Sequence, residues 1–579
     1  MVQWRRKTPD PAAVRTLVVR ERLPEVLAHL LVNRGHDSAE AVRAHLEASP
    51  MQLHDPFLFE GMDRATERLA RAIRDGETIL VHGDYDVDGV TGTSLLMLLL
   101  ELVGAKAVWH IPNRLVDGYS FGAHSVERAR SCGASVVISV DNGTSAADVI
   151  RDLAAIGVDT IVTDHHEPPP DGTLPDAVAI LNPKLSGSTY PWRELCGGAM
   201  AFKLAWGLVQ HLSDGSSVRR ARLKEFLEEA TAYVAIATVC DVVPLLDENR
   251  VFARYGLKAL AQSKAPGLRA LVEVAGIAGR RLSAEDVAFQ IGPRINASGR
   301  LGSAHQAVEC LLARDPATAR RFAVQLDTLN KKRREIEREV LVEARAQAGD
   351  FPADPVLVVA GQGWHQGVVG IVAARLTEEF GKPAIVIGLD GERGRGSART
   401  VGSFSILEAM SGAEEHLERF GGHTQAAGLE IRSDRVADAR AAIVERAREM
   451  LERAPLGEEE LWVDCELPFP SMNEDTMRHI DRLAPFGERN ETPVFLSRGV
   501  HLAEPAREVG AEGGHLMLRL RDGAHVLRAM AFRQGSRLGE LRLGTPIDVV
   551  YSPRWNTFRG RTNLELQVHD FSPAGGRPG

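Results

Sequence analysis

A chain of 579 residues, 44% hydrophobic and 25% charged, is too long for one core and reads as an ordinary globular protein of three or four domains. A net charge of −9 excludes a global field that attracts nucleic acid, so any such contact must come from local basic patches. No apolar stretch is long enough to span a bilayer, and the five scattered cysteines form no C-x-x-C pair, which argues against a membrane protein, a disulfide framework or a zinc site and for a reducing cytoplasm.

Residues 1–75 read as short helices with proline breaks. Within 76–315, residues 78 to about 205 alternate apolar β-runs with helical runs: Thr78–Val81, Ala107–Ile111, Ser135–Val140, Thr160–Thr163 and Ala177–Leu181. That alternation predicts an α/β unit with a parallel sheet, helices on both faces, and ligands at the carboxyl ends of the strands. A helical extension follows, interrupted at Gly292–Leu301. Residues 316–350 predict one connecting helix. Ala317–Gln347 lacks Pro and Gly, and Phe322, Leu326, Leu329, Ile336, Val340 and Leu341 recur at helical spacing. Such a helix reaches roughly 45 Å at about 1.5 Å per residue, enough to join two lobes. Residues 351–455 form a smaller α/β unit: strand Val356–Ala360, a Gly-rich turn, helix Val368–Glu379 and strand Ala384–Ile387. Residues 456–570 carry the β-type runs Leu516–Leu520, Val526–Phe532, Ile547–Tyr551 and Leu564–Val568, which predict a small barrel. A Gly-rich tail occupies 571–579.

The chemistry gathers at the strand ends of the first unit. Directly after Thr78–Val81 come His82, Asp84, Asp86 and Asp88. Three carboxylates on the lip of a strand repel one another unless a cation neutralises them. Hard divalent cations, Mg²⁺ or Mn²⁺, suit such oxygen-rich sites, and His82 tilts the choice toward Mn²⁺. Asp141 ends the run Ser135–Val140, and Asp164-His165-His166 follows Thr160–Thr163. Asp241 stands between apolar runs, where a lone carboxylate is costly to bury without a cation or a dense hydrogen-bond set. Each acid alone has a structural explanation as a turn or helix cap. Together they fall where an α/β sheet places its site.

On the substrate side, the glycines of Gly394-Arg-Gly-Ser-Ala-Arg399 and Gly421-Gly-His423 allow backbone N–H groups to approach an anion. Ser397, Arg399 and His423 can donate to a phosphate. Arg114, Arg294 and Arg300, with Asn296, are candidates for contacts to phosphate, with structural ion pairs the alternative. Lys331–Arg334 reads as a solvated run on the long helix. On the barrel, Tyr551, Trp555 and Phe558 either stack bases, at about 1–3 kcal/mol per base, or pack into the core.

Thr163-Asp-His-His-Glu167, with Asp84-Tyr-Asp-Val-Asp-Gly89 and Val140-Asp-Asn-Gly143, resembles the DHH phosphoesterase superfamily. Further segments resemble its single-strand-specific exonucleases: Leu181-Asn-Pro-Lys184, Leu195-Cys-Gly-Gly-Ala199, Pro293–Leu301, Gly421–Gly428 and Ala484–Asn490. The resemblance runs from about 50 to 570. It implies a DHH domain (76–315), the connecting helix (316–350), a DHHA1 domain (351–455) and an OB-type barrel (456–570).

The resemblance also implies a two-metal site. Asp86 and His82 would serve one cation, Asp88, His165 and Asp241 the other, and Asp141 would bridge. His166 would face the scissile phosphate, with Asp84 a further ligand or a supporting acid; His82 is the least secure, since an apolar residue often takes its place in the family. Ser397, Arg399 and His423 would hold a terminal 5′-phosphate. The implied activity is a 5′→3′ exonuclease that uses two Mn²⁺ or Mg²⁺ ions and degrades single-stranded DNA from a free 5′ end to 5′-mononucleotides, in DNA repair and recombination. Single-strand-binding protein and a recombination helicase would be its partners, and a monomer is the default. Two alternatives stand beside it: a phosphodiesterase of short oligonucleotides or cyclic dinucleotides, and a catalytically inactive replication scaffold.

Overall fold

The chain opens on a strand that its sequence did not announce, β1 (Gln3–Arg6), followed by helices at Pro11–Arg20, Glu25–Asn33, Ala39–Glu47 and Met62–Asp75. In this computed structural model the described residues are 2–113, 121–213, 217–455, 457, 460–510, 514–558 and 561–576, with backbone alone at 217–220, 558 and 561.

Five strands build the first lobe: β2 (Thr78–Gly83), β3 (Lys106–His110), β4 (Ala134–Val140), β5 (Asp159–Thr163) and β6 (Ala179–Leu181). They pair in the order β3-β2-β4-β5-β6, all parallel. β2 is buried along its whole length, as a strand covered on both faces must be. One face packs Ile79, Val81, Val136 and Ile138 against the helices Val87–Leu102 and Gly197–His211. The other packs Leu80, Val137 and Val162 under the helices Ala123–Cys132 and Ala147–Ala155.

The long helix runs from Pro316 to Gly349, capped by the Asp315 side chain. Its first half (Ala319, Ala323, Leu326) belongs to the core of the first lobe, and its second half (Val340, Ala344, Ala348) to that of the next. The second lobe has β7 (Leu357–Gln362), β8 (Ala384–Asp390), β9 (Arg393–Arg399), β10 (Leu417–Gly422) and β11 (Ala426–Arg432), in the order β10-β11-β9-β8-β7. Only β7 and β8 run parallel. The Gly394–Arg399 segment is therefore part of a central strand, β9. Its glycines are needed for packing: a Cβ at Gly394 would lie 2.6 Å from Leu389, and one at Gly396 would lie 3.0 Å from both Ile387 and Leu429.

After β12 (Glu460–Val463) come β13 (Cys465–Glu466), β14 (Phe495–Leu502), β15 (Arg507–Val509), β16 (His515–Asp522), β17 (His525–Ala531), β18 (Ile547–Phe558) and β19 (Arg561–Pro573). Five of them close as a ring, β14-β18-β19-β17-β16 and back to β14, with β17 and β19 parallel. This is the OB-type barrel, which removes its edges by closure.

The N-terminal segment is not one unit. β1 pairs with β12 across the whole chain, and Trp4 Nε1 donates to Asp570 at 2.8 Å. Leu17, Leu27, Leu30 and Leu31 share a core with Phe495, Leu518 and Phe571 of the barrel, whereas Met62, Leu69 and Ala72 join the first lobe. An amphipathic stripe shows that a helix must be covered without showing by what. No helix among the described residues is long and apolar enough to cross a membrane.

Candidate metal centre and substrate face

Four separated chain segments bring their acids to the carboxyl edge of the first sheet. β2 ends at Gly83, and Asp86 caps the helix Val87–Leu102, its Oδ1 accepting from the N–H groups of Asp88 and Gly89. Asp141 directly follows β4, held at φ +63°, a left-handed conformation that costs an ordinary residue energy and marks sites where geometry outranks comfort. β5 leads into Asp164-His165-His166. Asp241 follows the helix Ser217–Cys240.

The convergence is close. His165 Nε2 lies 3.1 Å from Asp141 Oδ1 and 3.7 Å from both Asp88 Oδ2 and Asp241 Oδ2. Ligand atoms of Asp88, His165 and Asp241 form one set within 4.8 Å of one another, and those of Asp84, Asp86 and Asp141 form a second. The backbone explains why Leu195–Ala199 carries two glycines. Gly197 and Gly198 donate to the Asp88 carboxylate at 2.6 and 2.7 Å, and a Cβ on Gly197 would lie 2.6 Å from Asp141 Cβ.

The electrostatics are those of a crowded acid site. Burial, then Asp88 and Asp86, push the Asp141 carboxyl well above the usual range. Burial and the same two neighbours push Asp241 up to about 8. Asp88 is raised by burial, against the pull of His165. Buried carboxylates displaced upward by one another stay ionised only beside a cation. Asp141 Oδ1 and His165 Nε2 are buried without a hydrogen bond of ordinary geometry, although they face each other. A donor set of carboxylate oxygens and one imidazole fits Mn²⁺ or Mg²⁺.

Asp164, given no role in the sequence reading, holds the His-His pair. Its Oδ1 accepts from the His165 and His166 N–H groups and from His166 Nδ1 (2.8 Å), and its Oδ2 from Thr144 N. Despite burial, those hydrogen bonds keep the Asp164 carboxyl below its usual range, and they lift His166 to about 9. Asn182, from the Leu181–Lys184 motif, braces the same turn by donating to Thr144 Oγ1 and the His166 carbonyl. The signal available in sequence was the Asp of Asp-His-His itself.

His82 does not join the acids. It is fully buried on the other face of β2, its Nε2 2.9 Å from Ser125 Oγ, and its ring stands edge-on to Phe121 and grouped with His110 and His124. Side chains alternate along a strand, so a residue at the end of β2 follows Leu80 onto that face.

A chain of contacts ties the acids to the second lobe. A Cβ at Gly299 would lie 2.6 Å from the Tyr85 carbonyl, between Asp84 and Asp86. Arg300 Nη1 donates to the Gly367 carbonyl at 3.2 Å. Gly370, on the same helix (Gln366–Phe380), admits Ser397 Oγ and Arg399 Nη2 to within 3.0 and 3.4 Å of a would-be Cβ. Arg399 Nη1 donates to Ser397 Oγ at 3.0 Å. His423, exposed in the β10–β11 hairpin, bonds through its N–H to Ala426, which pairs with Arg399. Ser397, Arg399 and His423 thus share one corner of the lobe.

Other expected contacts fall elsewhere. Arg294 is buried in an ion pair with Asp327 (2.9 Å) and donates to the Gln290 carbonyl, so it braces the long helix. Asn296 is half-buried on the same helix as Arg300. Tyr551 is completely buried inside the barrel, its hydroxyl 3.1 Å from Ser497 Oγ, and no base can stack on it. Trp555 is 36% exposed and donates to Asp481. Arg114 and the Phe558 side chain lie outside the described residues.

A parallel sheet rimmed with acids, a long helix to a second α/β lobe and an OB barrel together define a DHH-type phosphoesterase of the exonuclease kind. The DHH family N-terminal domain matches residues 78–238, the DHHA1 domain 353–449 and the RecJ OB domain 463–570. The chain is 35% identical over 575 residues to the single-stranded-DNA-specific exonuclease RecJ of Bacillus subtilis (strain 168), covering 98% of this chain and 70% of that one. Crystal structures of RecJ from Thermus thermophilus with Mn²⁺ and with Mg²⁺ superpose with TM-scores of 0.83 and 0.77, at 30% and 29% identity. Each covers 100% of this chain, and 80% and 79% respectively of the crystallised one. The chain belongs to the RecJ family of single-stranded-DNA-specific exonucleases.

Proposed function

We propose that this protein is a divalent-cation-dependent 5′→3′ exonuclease that degrades single-stranded DNA to 5′-mononucleotides in repair and recombination. The observation that carries the reading is the approach of His165 Nε2 to within 3.1–3.7 Å of carboxylates from three other chain segments. Asp84, Asp86 and Asp141 would hold one cation, and Asp88, His165 and Asp241 the other, with Asp141 shared. Two Mn²⁺ or Mg²⁺ ions held there would supply Lewis-acid stabilisation of the phosphate oxygens and would lower the pKa of a water so that hydroxide is available as the nucleophile.

The chain's own groups orient the substrate. His166 spends Nδ1 on Asp164, whose carboxylate favours the imidazolium, so that Nε2 can donate to a phosphate oxygen. Arg300 lies between the acids and the second lobe, where it meets a flanking phosphate. Ser397, Arg399 and His423 take the terminal 5′-phosphate, which sets polarity and the need for a free end. Single-strand-binding protein and a recombination helicase are the partners this reading implies.

Digestion of a 5′-labelled single strand with Mn²⁺, with Mg²⁺ and in EDTA tests it. The label leaves as a mononucleotide with either cation, persists in EDTA, and is spared when the strand is in blunt duplex. Release of short oligonucleotides, or shortening from the 3′ end first, contradicts the reading.

A further inference from the structure

The histidines left out of the acid site form a site of their own. In the parallel pairing of β2 with β3, His82 stands opposite His110, so both side chains project from one face of the sheet. The helix Ala123–Cys132 lies over that face and brings His124 from its first turn. The ring centroids are 5.0 Å apart for His82 and His110, and 5.7 Å from each of these to His124. One nitrogen from each ring lies within 4.8 Å of the other two.

The surroundings suit ligation. A metal-bound imidazole commonly gives its second ring N–H to an oxygen that fixes the ring. Ser125 Oγ, which accepts the Gly122 N–H at 3.1 Å, stands 2.9 Å from His82 Nε2. That leaves His82 Nδ1, buried and without a hydrogen bond, as the ligand atom. Phe121 closes the pocket against His82, while His110 and His124 stay half-exposed.

We propose that His82, His110 and His124 bind one Zn²⁺, at a site distinct from the acid cluster. Three imidazoles are a donor set for zinc-class cations and a poor one for Mg²⁺ or Mn²⁺, and three protein ligands leave a fourth position open. Cysteine spacing could not have revealed it, because no thiolate takes part. The bound ion fastens the ends of β2 and β3 to the helix above them. None of this depends on the exonuclease reading.

The test uses the full chain, stripped of metal and then saturated with Mg²⁺ to occupy the acids. Zn²⁺ is titrated against a chromogenic chelator, and Co²⁺ is followed by visible absorption. One equivalent of Zn²⁺ binds despite the Mg²⁺, Co²⁺ gives the intense band of a four-coordinate ion, and Zn²⁺ raises the melting temperature. His124→Ala and, separately, His110→Ala lose that equivalent, the band and the thermal shift, while Asp241→Asn keeps all three. Circular dichroism verifies the fold of each variant, so either histidine variant alone suffices. Equal Zn²⁺ stoichiometry in the wild type and a folded histidine variant overturns the proposal. So does the absence of any equivalent that survives Mg²⁺.

Discussion

Two regions of the first lobe bury charge, and they do so in opposite ways. Beneath the helix Gly197–His211, Lys203 and Glu248 are both fully buried and paired with each other. Glu248 also accepts from Tyr190 Oη (2.7 Å) and His54 N (2.8 Å), and Lys203 donates to the His54 carbonyl (2.7 Å). At the sheet edge, the ion-pair partners of Asp88, Asp141 and Asp241 are histidines, and Asp88 and Asp86 push Asp141 and Asp241 upward. The first arrangement is complete within the chain. The second calls for cations, and that difference separates scaffold from candidate metal centre.

Substitutions break the comparison in opposite directions. Asp141→Asn removes one of the crowded charges: turnover falls by at least about 10²–10³-fold, the scale of losing a transition-state charge stabiliser. Its thermal stability in EDTA stays level or rises, and single-stranded DNA is still bound. Retained turnover with Mn²⁺ removes Asp141 from the bridging position. Lys203→Met strands Glu248 and costs about 3–5 kcal/mol in a denaturant titration. A loss under about 1 kcal/mol would mean the pair is not the buried unit described.

Smaller effects sharpen the account. Asp164→Asn frees the two histidines and lowers activity about 10–100-fold, as losing the partner of a metal-site imidazole does; intact metal dependence with unchanged turnover argues against its positioning role. Arg399→Ala removes a charged donor worth about 1.5–3 kcal/mol. In steady-state assays it weakens kcat/KM on 5′-phosphorylated strands about 10–100-fold and on 5′-hydroxyl strands far less; equal losses contradict the end-binding pocket.

A pH effect belongs to the join between the N-terminal helices and the first lobe. Burial, then Arg250, lowers His45 from 6.5 to about 2. Below pH 6.5 the unfolded chain takes up a proton that the folded one refuses. Stability is therefore fully present above 6.5 and is lost as pH falls toward about 2, by up to about 1.4 kcal/mol per pH unit. Urea midpoints between pH 7 and 5 fall less steeply in His45→Gln; parallel slopes refute the assignment.

What could be read in the sequence followed locality. A β-run that stops at an acid announces both the strand and its rim, so Asp86, Asp88, Asp141 and His165 were legible before any fold was known. The long helix was legible too, because its stripe is regular from Phe322 to Leu341. Strand alternation decides two positions: it turns His82 away from the acids, and of the two readings of Tyr551 it selects packing inside the barrel. β9 was hidden because its glycines look like a turn until Ile387 and Leu429 are seen to fill the space a side chain would take. Partners far along the chain left no local trace, as in the pairing of β1 with β12 and the Arg294–Asp327 ion pair.

The most direct measurement is anomalous diffraction from crystals of the protein soaked in Mn²⁺. The account predicts two strong peaks at the sheet edge, one among Asp84, Asp86 and Asp141 and one among Asp88, His165 and Asp241. A single peak, or peaks away from Asp141, would contradict it.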